Sequence, residues 1–415
     1  MPPTSDNGVL TVKSVLVFSK WPSVRNVGLV ADRLRARGLR SVLVSCLPDD
    51  RNRDRCDDHL VLDWDSEDVA ALVARLDRRG IEPVAVVNMV EPLIPWQTAV
   101  VAHYGLPGPR AGLDVLASKY LVRDRMRTLG LSAVRFSDDL AAVDFFPAIV
   151  KPSRESAASW LVYRVNDPDA LLAHRRLLAE LGEADTEMIA EEYLPGIEFS
   201  VDGLVVGGRF HPVLAVEKPE HDEIRHHDAG LRIHPPQQDH VREGVRVLSA
   251  TIGALCADLG LDQLWLHVEG RSTPDGRTEL VEINPRPGGG MYPTVIRESS
   301  GIDPFETVVS MSLGDFTVPA ERPDPLRALP IIGWVDLEAE ELGTVAVRTT
   351  EDDLRALAGV IDAEVVDGYQ VTSLEKENYF LRFVITADSE AQLRARTATV
   401  LGALDFRIAP RRPEA

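Results

Sequence analysis

Residues 265–290 read WLHVEGRSTPDGRTELVEINPRPGGG, the most informative stretch of the chain. Asp275-Gly276 is a favoured dipeptide for a two-residue hairpin loop. With those residues at the turn, Glu269 faces Glu282 and His267 faces Asn284. Strand alternation then places these four side chains on one face and Leu266, Val268, Val281 and Ile283 on the other, toward a core. Two carboxylates directly opposite each other destabilise a hairpin, unless a cation sits between them. Oxygen ligands without thiolates favour a hard ion such as Mg²⁺, with Mn²⁺ as a substitute. A solvated acidic hairpin face, its register slipped by the longer STPDG loop, would read the same way. The next residues tip the balance: Asn284-Pro285-Arg286, then Pro287, then Gly288, Gly289 and Gly290 at the start of a helix. Glycines there let backbone N–H groups face an anion at the positive helix end. Arg286 adds a bidentate donor for a phosphate or oxyanion. Metal ligands, an arginine and an anion nest together describe a phosphoryl-transfer site.

VEINPRPGGG, with Glu269 upstream, resembles the metal-binding end of ATP-grasp enzymes, and within them the L-amino acid ligases and related carboxylate–amine ligases. The resemblance implies ATP and Mg²⁺ as cofactors, with Glu269, Glu282 and Asn284 as metal ligands. It implies Arg286 and Asn284 as catalytic groups, and the amides of Gly288, Gly289 and Gly290 as donors to a tetrahedral oxyanion. Upstream, Lys119 opens a helix after Ser118, where a cation opposes the helix dipole and is better explained if it reaches an anion. It resembles a phosphate-contacting lysine of the family, although a solvated lysine at a helix end reads the same. Lys151 ends the strand PAIVK and resembles the second nucleotide lysine. The loop after it, with Ser153 and Ser156, corresponds to the phosphate flap, but SRESAAS replaces the usual glycine-rich pattern. Glu191, Glu192, Tyr193 and Leu194 resemble the hinge that meets the adenine edge, and Glu198 the carboxylate that bonds the ribose. A strand end with solvated acids is the plainer alternative. The stretch 217–236, EKPEHDEIRHHDAGLRIHPP, reads as a long loop. Its Arg225, His227 and Arg232, beside His221 and His226, suit a substrate carboxylate or are simply solvated.

The resemblance spans about residues 14–320. It implies a ligase that activates a carboxylate as an acyl phosphate, joins it to an amine, and releases ADP and phosphate, with amino acids or amino-acid-like molecules as substrates. The rivals are an ATP-grasp enzyme activating formate or bicarbonate, and a nucleotide-binding module without catalysis. A homodimer is allowed.

Further out, SVLVF at 14–18, a helical pattern, and SVLVS at 41–45 make strand–helix–strand, and the pattern recurs through strand 83–88 and helix 94–104. Residues 1–110 are therefore expected as a doubly wound α/β domain. No GxGxxG follows its first strand, which disfavours a dinucleotide site. Residues 111–320 are the expected ATP-grasp domain, its lid at about 133–193. Four prolines between 316 and 330 read as a linker, and 331–415 as a small α+β domain with no obvious catalytic cluster. The fold class is thus α/β and α+β.

The net charge of −20, from 45 basic and 65 acidic side chains, disfavours nucleic acid as a partner. A few local lysines and a metal ion still suffice for ATP. Cys46, Cys56 and Cys256 form no CxxC pair, so a reducing cytoplasm is expected. No apolar run approaches the roughly 20 residues of a membrane helix.

Overall fold

A computed structural model describes residues 12–20, 25–108, 112–154, 159–223, 226–228, 230–319, 324–327, 330–374 and 376–410. Ser156, Arg225 and Pro323 lie outside them. The first unit is a parallel sheet in the order Asp58–Val61, Arg40–Ser45, Val12–Ser19, Ile81–Asn88. Its apolar runs are continuous because both faces are covered. Leu16, Phe18, Val42 and Val44 pack on one side with Trp64, Val100 and Val101. Val15, Val17, Leu43 and Val87 pack on the other against Val27, Val30 and Leu34. That second face is completed by Phe305 and Val309 from the helix Pro304–Leu313, which sequence reasoning missed. Arg33 fastens this helix through Asp303 at 2.6 Å.

The centre is an eight-stranded sheet, antiparallel throughout, in the order Thr278–Asn284, Leu264–Ser272, Ile197–Val206, Arg209–Lys218, Leu231–His234, Ile331–Glu338, Tyr379–Ala387, Val360–Val365. It corrects the sequence reading twice. Residues 217–236 are not one long loop, since Leu231–His234 pairs with strands on both sides. The sheet also runs on past residue 330 without a break. Helix Asp239–Leu259 lays Val245, Leu248, Ile252 and Leu255 on one face of the sheet, against Phe199, Val201, Leu266 and Val268. On the opposite face, helix Tyr292–Ser300 covers Leu204, Trp265 and Trp334. The rest of that face is charged. No helix among the described residues is long and apolar enough to cross a membrane.

The hairpin 264–284 has the predicted register, reached differently. Its loop is not the two-residue Asp275-Gly276 turn. Thr273 N donates to Arg277 O and Gly276 N to Thr273 O, both at 2.9 Å, and Ser272 pairs with Thr278. A bulge at Val281 then adds one residue. The two departures compensate, so Glu269 still lies opposite Glu282 and His267 opposite Asn284. Because a bulge re-aims its side chain, Val281 lines the cavity instead of joining the core as expected.

The lid is a four-stranded sheet, Phe136–Ser137, Met188–Glu192, Ala148–Pro152, Tyr163–Val165, backed by helix Pro168–Glu180. A buried ion cluster ties it to the body. Glu191 accepts from Arg123 Nε at 2.6 Å and lies 2.8 Å from Lys151 Nζ, while Arg123 also donates to Leu280 O at 2.6 Å. Burial alone would raise the Glu191 pKa, but the Arg123 and Lys151 charges outweigh it and hold the group at about 2.

Two outcomes are expected. Phe305→Ala should destabilise the protein by ~3–5 kcal/mol in urea titrations, because helix Pro304–Leu313 seals a sheet far from it in sequence. Glu191→Gln should cost ~3–5 kcal/mol at neutral pH, since it leaves two buried cations without their carboxylate. The Glu191 pKa is lowered on folding, from 4.5 to about 2. Its contribution is therefore present above about pH 4.5 and lost as pH falls toward 2. Urea melts of parent and variant should differ by a constant amount down to roughly pH 5 and converge below it. A gap that stays flat down to about pH 3.5 would contradict the assignment.

Candidate active site

The lid, the charged face of the large sheet and the 364–382 segment enclose a cavity of about 1100 Å³. Its floor is a transverse row of charges. Cross-strand pairing sets Arg271 beside Glu198 and Glu198 beside Lys218. Further along it sets Asp336 beside Arg382 and Arg382 beside Glu364. Lys218 is the hub. Its Nζ lies 3.1 Å from Glu198, 2.9 Å from Asp228 and 2.5 Å from Glu269, and the side chain is only 2% exposed. Burial would depress its pKa, but Asp228, Glu269 and Glu198 hold it well above the ordinary lysine range. Glu198, His221 and Asp228 also bring three ligand atoms within 4.8 Å of one another, a spacing that suits an ion. The Lys218 ammonium already bridges its two carboxylates.

Glu269 and Glu282 face this cavity as predicted, each with a cation of its own. Lys119 Nζ is 2.9 Å from Glu282, and Lys218 holds Glu269. Burial would raise both carboxyl pKa values; Lys119 for Glu282, and Lys218 with His267 for Glu269, keep them low. Lys119 stands where the sequence placed it, after Ser118, whose hydroxyl accepts from Leu121 N at 3.3 Å. His267 donates to Asp202 at 2.7 Å and approaches Glu269 at 3.5 Å. Burial opposes protonation there, but the two carboxylates raise its pKa to about 9. Asn284 and Arg286 line the same wall.

Several expected residues serve elsewhere. Ser153 does not line the cavity; its hydroxyl meets Ser118 Oγ at 3.2 Å and Tyr120 N at 3.3 Å, so it caps the helix that carries Lys119. Gly288 N donates to Asp202 Oδ1 at 2.9 Å and is spent before any oxyanion arrives. A Cβ at Gly288 would come within 2.5 Å of the Tyr292 ring, which accounts for the glycine. Gly289 and Gly290 do line the cavity. His227 turns away to Glu338 at 2.9 Å, leaving His221, His226 and Arg232 at the wall.

The segment 191–194 borders the cavity throughout. Lys151 Nζ donates to Val281 O at 3.0 Å besides pairing with Glu191. Glu192 pairs with Arg277 at 3.1 Å, and Tyr193 donates to Glu223 at 2.7 Å. Leu194 O accepts from Arg271 at 2.8 Å. Glu198 accepts from Lys218 and Arg271, and a carboxylate with about four acceptor sites keeps capacity for a ligand.

Sequence reasoning missed Glu91, which pairs with Arg286 across the units. Glu91 follows the strand Ile81–Asn88, at the carboxyl end of a parallel sheet where such folds place ligands. That topological rule was the available signal. Arg123, Asp336 and Arg382 were missed too.

Residues 144–295 match the family model of the ATP-grasp domain. Dapdiamide A synthase of Enterobacter agglomerans is 27% identical over 199 residues, which are 44% of this chain and 45% of that protein. The chain thus matches less than half of that curated relative's length. An L-amino acid ligase from Bacillus licheniformis superposes with a TM-score of 0.79 at 18% identity, over 96% of this chain and 99% of that one. Phosphoribosylglycinamide synthetase from Anaerococcus prevotii gives 0.65 at 12% identity, over 96% and 100%. The biotin carboxylase domain of the Hydrogenobacter thermophilus 2-oxoglutarate carboxylase, in complex with MgADP, gives 0.69 at 13%, over 95% and 90%. Residues 144–295 are an ATP-grasp domain, and the chain around them is built on the ATP-grasp fold.

Proposed function

We propose that this chain is an ATP-dependent carboxylate–amine ligase, which forms an amide or peptide bond between amino acids or amino-acid-like molecules through an acyl phosphate. The observation that carries the reading is the pair Glu269 and Glu282, opposed across one hairpin at the cavity wall and each neutralised by a lysine. Like charges directly opposite each other destabilise a hairpin. A nucleotide-binding module without catalysis would have no need to keep them.

The donor set fits a hard divalent ion. Glu269, Glu282 and Asn284 offer oxygen only, which suits Mg²⁺ or Mn²⁺ bound together with phosphates. Such an ion would withdraw charge from the transferring phosphoryl group. The chain's own groups do the rest. Lys119 exchanges Glu282 for a phosphate oxygen, and Lys151 reaches the α-phosphate from the end of its strand. The segment from Glu191 to Leu194 offers backbone to the adenine, and Glu198 takes the ribose hydroxyls with its free acceptor sites. The substrate carboxylate attacks the γ-phosphorus; the bond to the ADP oxygen breaks, giving an acyl phosphate and ADP. The neutral amine nitrogen then attacks the acyl carbon; the C–O bond to phosphate breaks and one N–H proton passes to the departing phosphate. Arg286, aimed by Glu91, and the amides of Gly289 and Gly290 hold the oxyanion while phosphate leaves. With His227 turned to Glu338, Arg232 is, among the described residues of this stretch, the one of the expected group left to meet a substrate carboxylate.

Mixing the protein with ATP, Mg²⁺, a carboxylate and an amine should release ADP and phosphate only when both substrates are present. ¹⁸O in the substrate carboxylate should appear in the released phosphate; label that stays wholly in the amide contradicts the acyl phosphate. Glu282→Gln should lower kcat by well over tenfold, more than about 1.4 kcal/mol of transition-state stabilisation. A hairpin considered alone would gain stability from this change. The Lys119 ion pair is weakened at the same time, so the melting temperature should hardly move. A variant that keeps more than roughly a tenth of parental turnover would sink Glu282 as a metal ligand.

A further inference from the structure

The lid sheet carries a cation that the cavity wall does not use. Arg164, on the edge strand Tyr163–Val165, pairs across from Ile149, and cross-strand neighbours share a face. Ile149 lines the cavity and pairs on its other side with Glu191. Arg164 stands on that same face without lining the cavity, because its guanidinium lies against Tyr193 instead. Its Cζ is 3.9 Å from the centre of the Tyr193 ring, and its Nε is buried without a hydrogen-bond partner. No carboxylate among the described residues pairs with it. The negative face of the ring is therefore the group that compensates this cation. A guanidinium is flat and weakly hydrated, so it can lie on a ring where an ammonium would give up more hydration.

Tyr193 follows the lid strand Met188–Glu192 and precedes the body strand Ile197–Val206, so it belongs to the link between the two. Its hydroxyl donates to Glu223 at 2.7 Å. Arg271, on the body strand Leu264–Ser272, donates to Glu223 at 3.1 Å and to Leu194 O at 2.8 Å, and its Cζ is 5.7 Å from the centre of the same ring. Lid cation, link tyrosine and body ion pair thus form one brace. We propose that Arg164 is a positioning residue for the nucleotide base: stacked on Tyr193, it holds the segment 191–194 in the conformation that meets the adenine edge. The inference rests on the proposed reading of that segment and adds the group that sets it. Without the stack the segment leaves this conformation part of the time, and apparent affinity falls with the fraction that keeps it. The phosphate end is anchored separately, since Lys151 is held by Glu191 and Val281 O, and Lys119 by Glu282.

ADP and inosine diphosphate share the ribose and both phosphates and differ at the edge of the base. Each is titrated by calorimetry, with Mg²⁺, into the parent, Arg164→Met, Arg164→Lys, Tyr193→Leu and the double variant Arg164→Met with Tyr193→Leu. The parent should prefer ADP. Arg164→Met should weaken ADP by about five-fold or more, the range of a partly desolvated cation over a ring. Inosine diphosphate should lose less, so the preference shrinks, and Arg164→Lys should restore part of it. Once Tyr193→Leu has removed the ring, adding Arg164→Met should cost nothing further, because the two residues act as a pair. A lid that is merely less stable would lose both nucleotides alike and respond equally in both backgrounds. That result, or an ADP affinity untouched by Arg164→Met, overturns the proposal. A parent that binds the two nucleotides equally refutes the reading of 191–194 as the adenine contact, and the proposal falls with it. A parent that prefers ADP as described but never turns over ATP refutes the ligase reading and leaves the brace standing.

Discussion

Charge removed from water must meet opposite charge within hydrogen-bond reach, and this constraint organises the large sheet. One face is apolar and closed by helix Asp239–Leu259. The other holds charge in rows across the strands, where direct cross-strand neighbours are the pairs that interact most strongly. Arg271, Glu198 and Lys218 form one such row, and Asp336, Arg382 and Glu364 another. Buried ion pairs gain little net stability, because desolvation consumes most of the attraction. The rows therefore do not explain why the protein folds. They explain how so much charge can be held together at one cavity wall.

The charges at the cavity are stored against one another. Lys119 sits on Glu282, Lys218 on Glu269 and Lys151 on Glu191. On the proposed reading, a nucleotide with its cation enters by exchange, phosphate replacing carboxylate at a lysine while the ion replaces lysine at a carboxylate. Each exchange leaves every charge facing an opposite one, which limits the uncompensated field in the low-dielectric cavity. Lys119 is the member suited to moving, since it starts a helix and its side chain is 15% exposed. Lys151, 7% exposed and bonded to Val281 O as well, is more nearly fixed.

The legible part of the site was local. The two-residue period of the hairpin, the Ser118 cap and the run after Asn284 carry their geometry in adjacent residues. The register came out right although the turn was wrong, because the Val281 bulge offsets the longer loop. What escaped needed partners distant in sequence. Strand Leu231–His234 is only four residues long, and its Arg232 and His234, polar in sequence, are 2% and 1% exposed. Helix Pro304–Leu313 looks like part of the preceding domain until the sheet it covers, far upstream, is known. Gly288 looked like an anion donor, and only the fold brings Asp202 to consume its N–H.

The tail shows the same limit from the other side. Nothing in residues 331–410 forms a compact motif, so a motif search passes over it. Sheet topology nevertheless carries Ile331–Glu338 and Tyr379–Ala387 into the central sheet, next to Leu231–His234. Register then decides which of their side chains face the cavity. Trp334 and Asp336 are two apart on one strand and share a face. Trp334 packs beneath helix Tyr292–Ser300, and Asp336 emerges just beyond the helix start, beside Gly290. A one-residue slip in this strand would bury the carboxylate in the core and turn its apolar neighbours to the ligand. The pairing of Ile331–Glu338 with Leu231–His234 is therefore as much a determinant of the cavity's chemistry as the glutamates of the central hairpin.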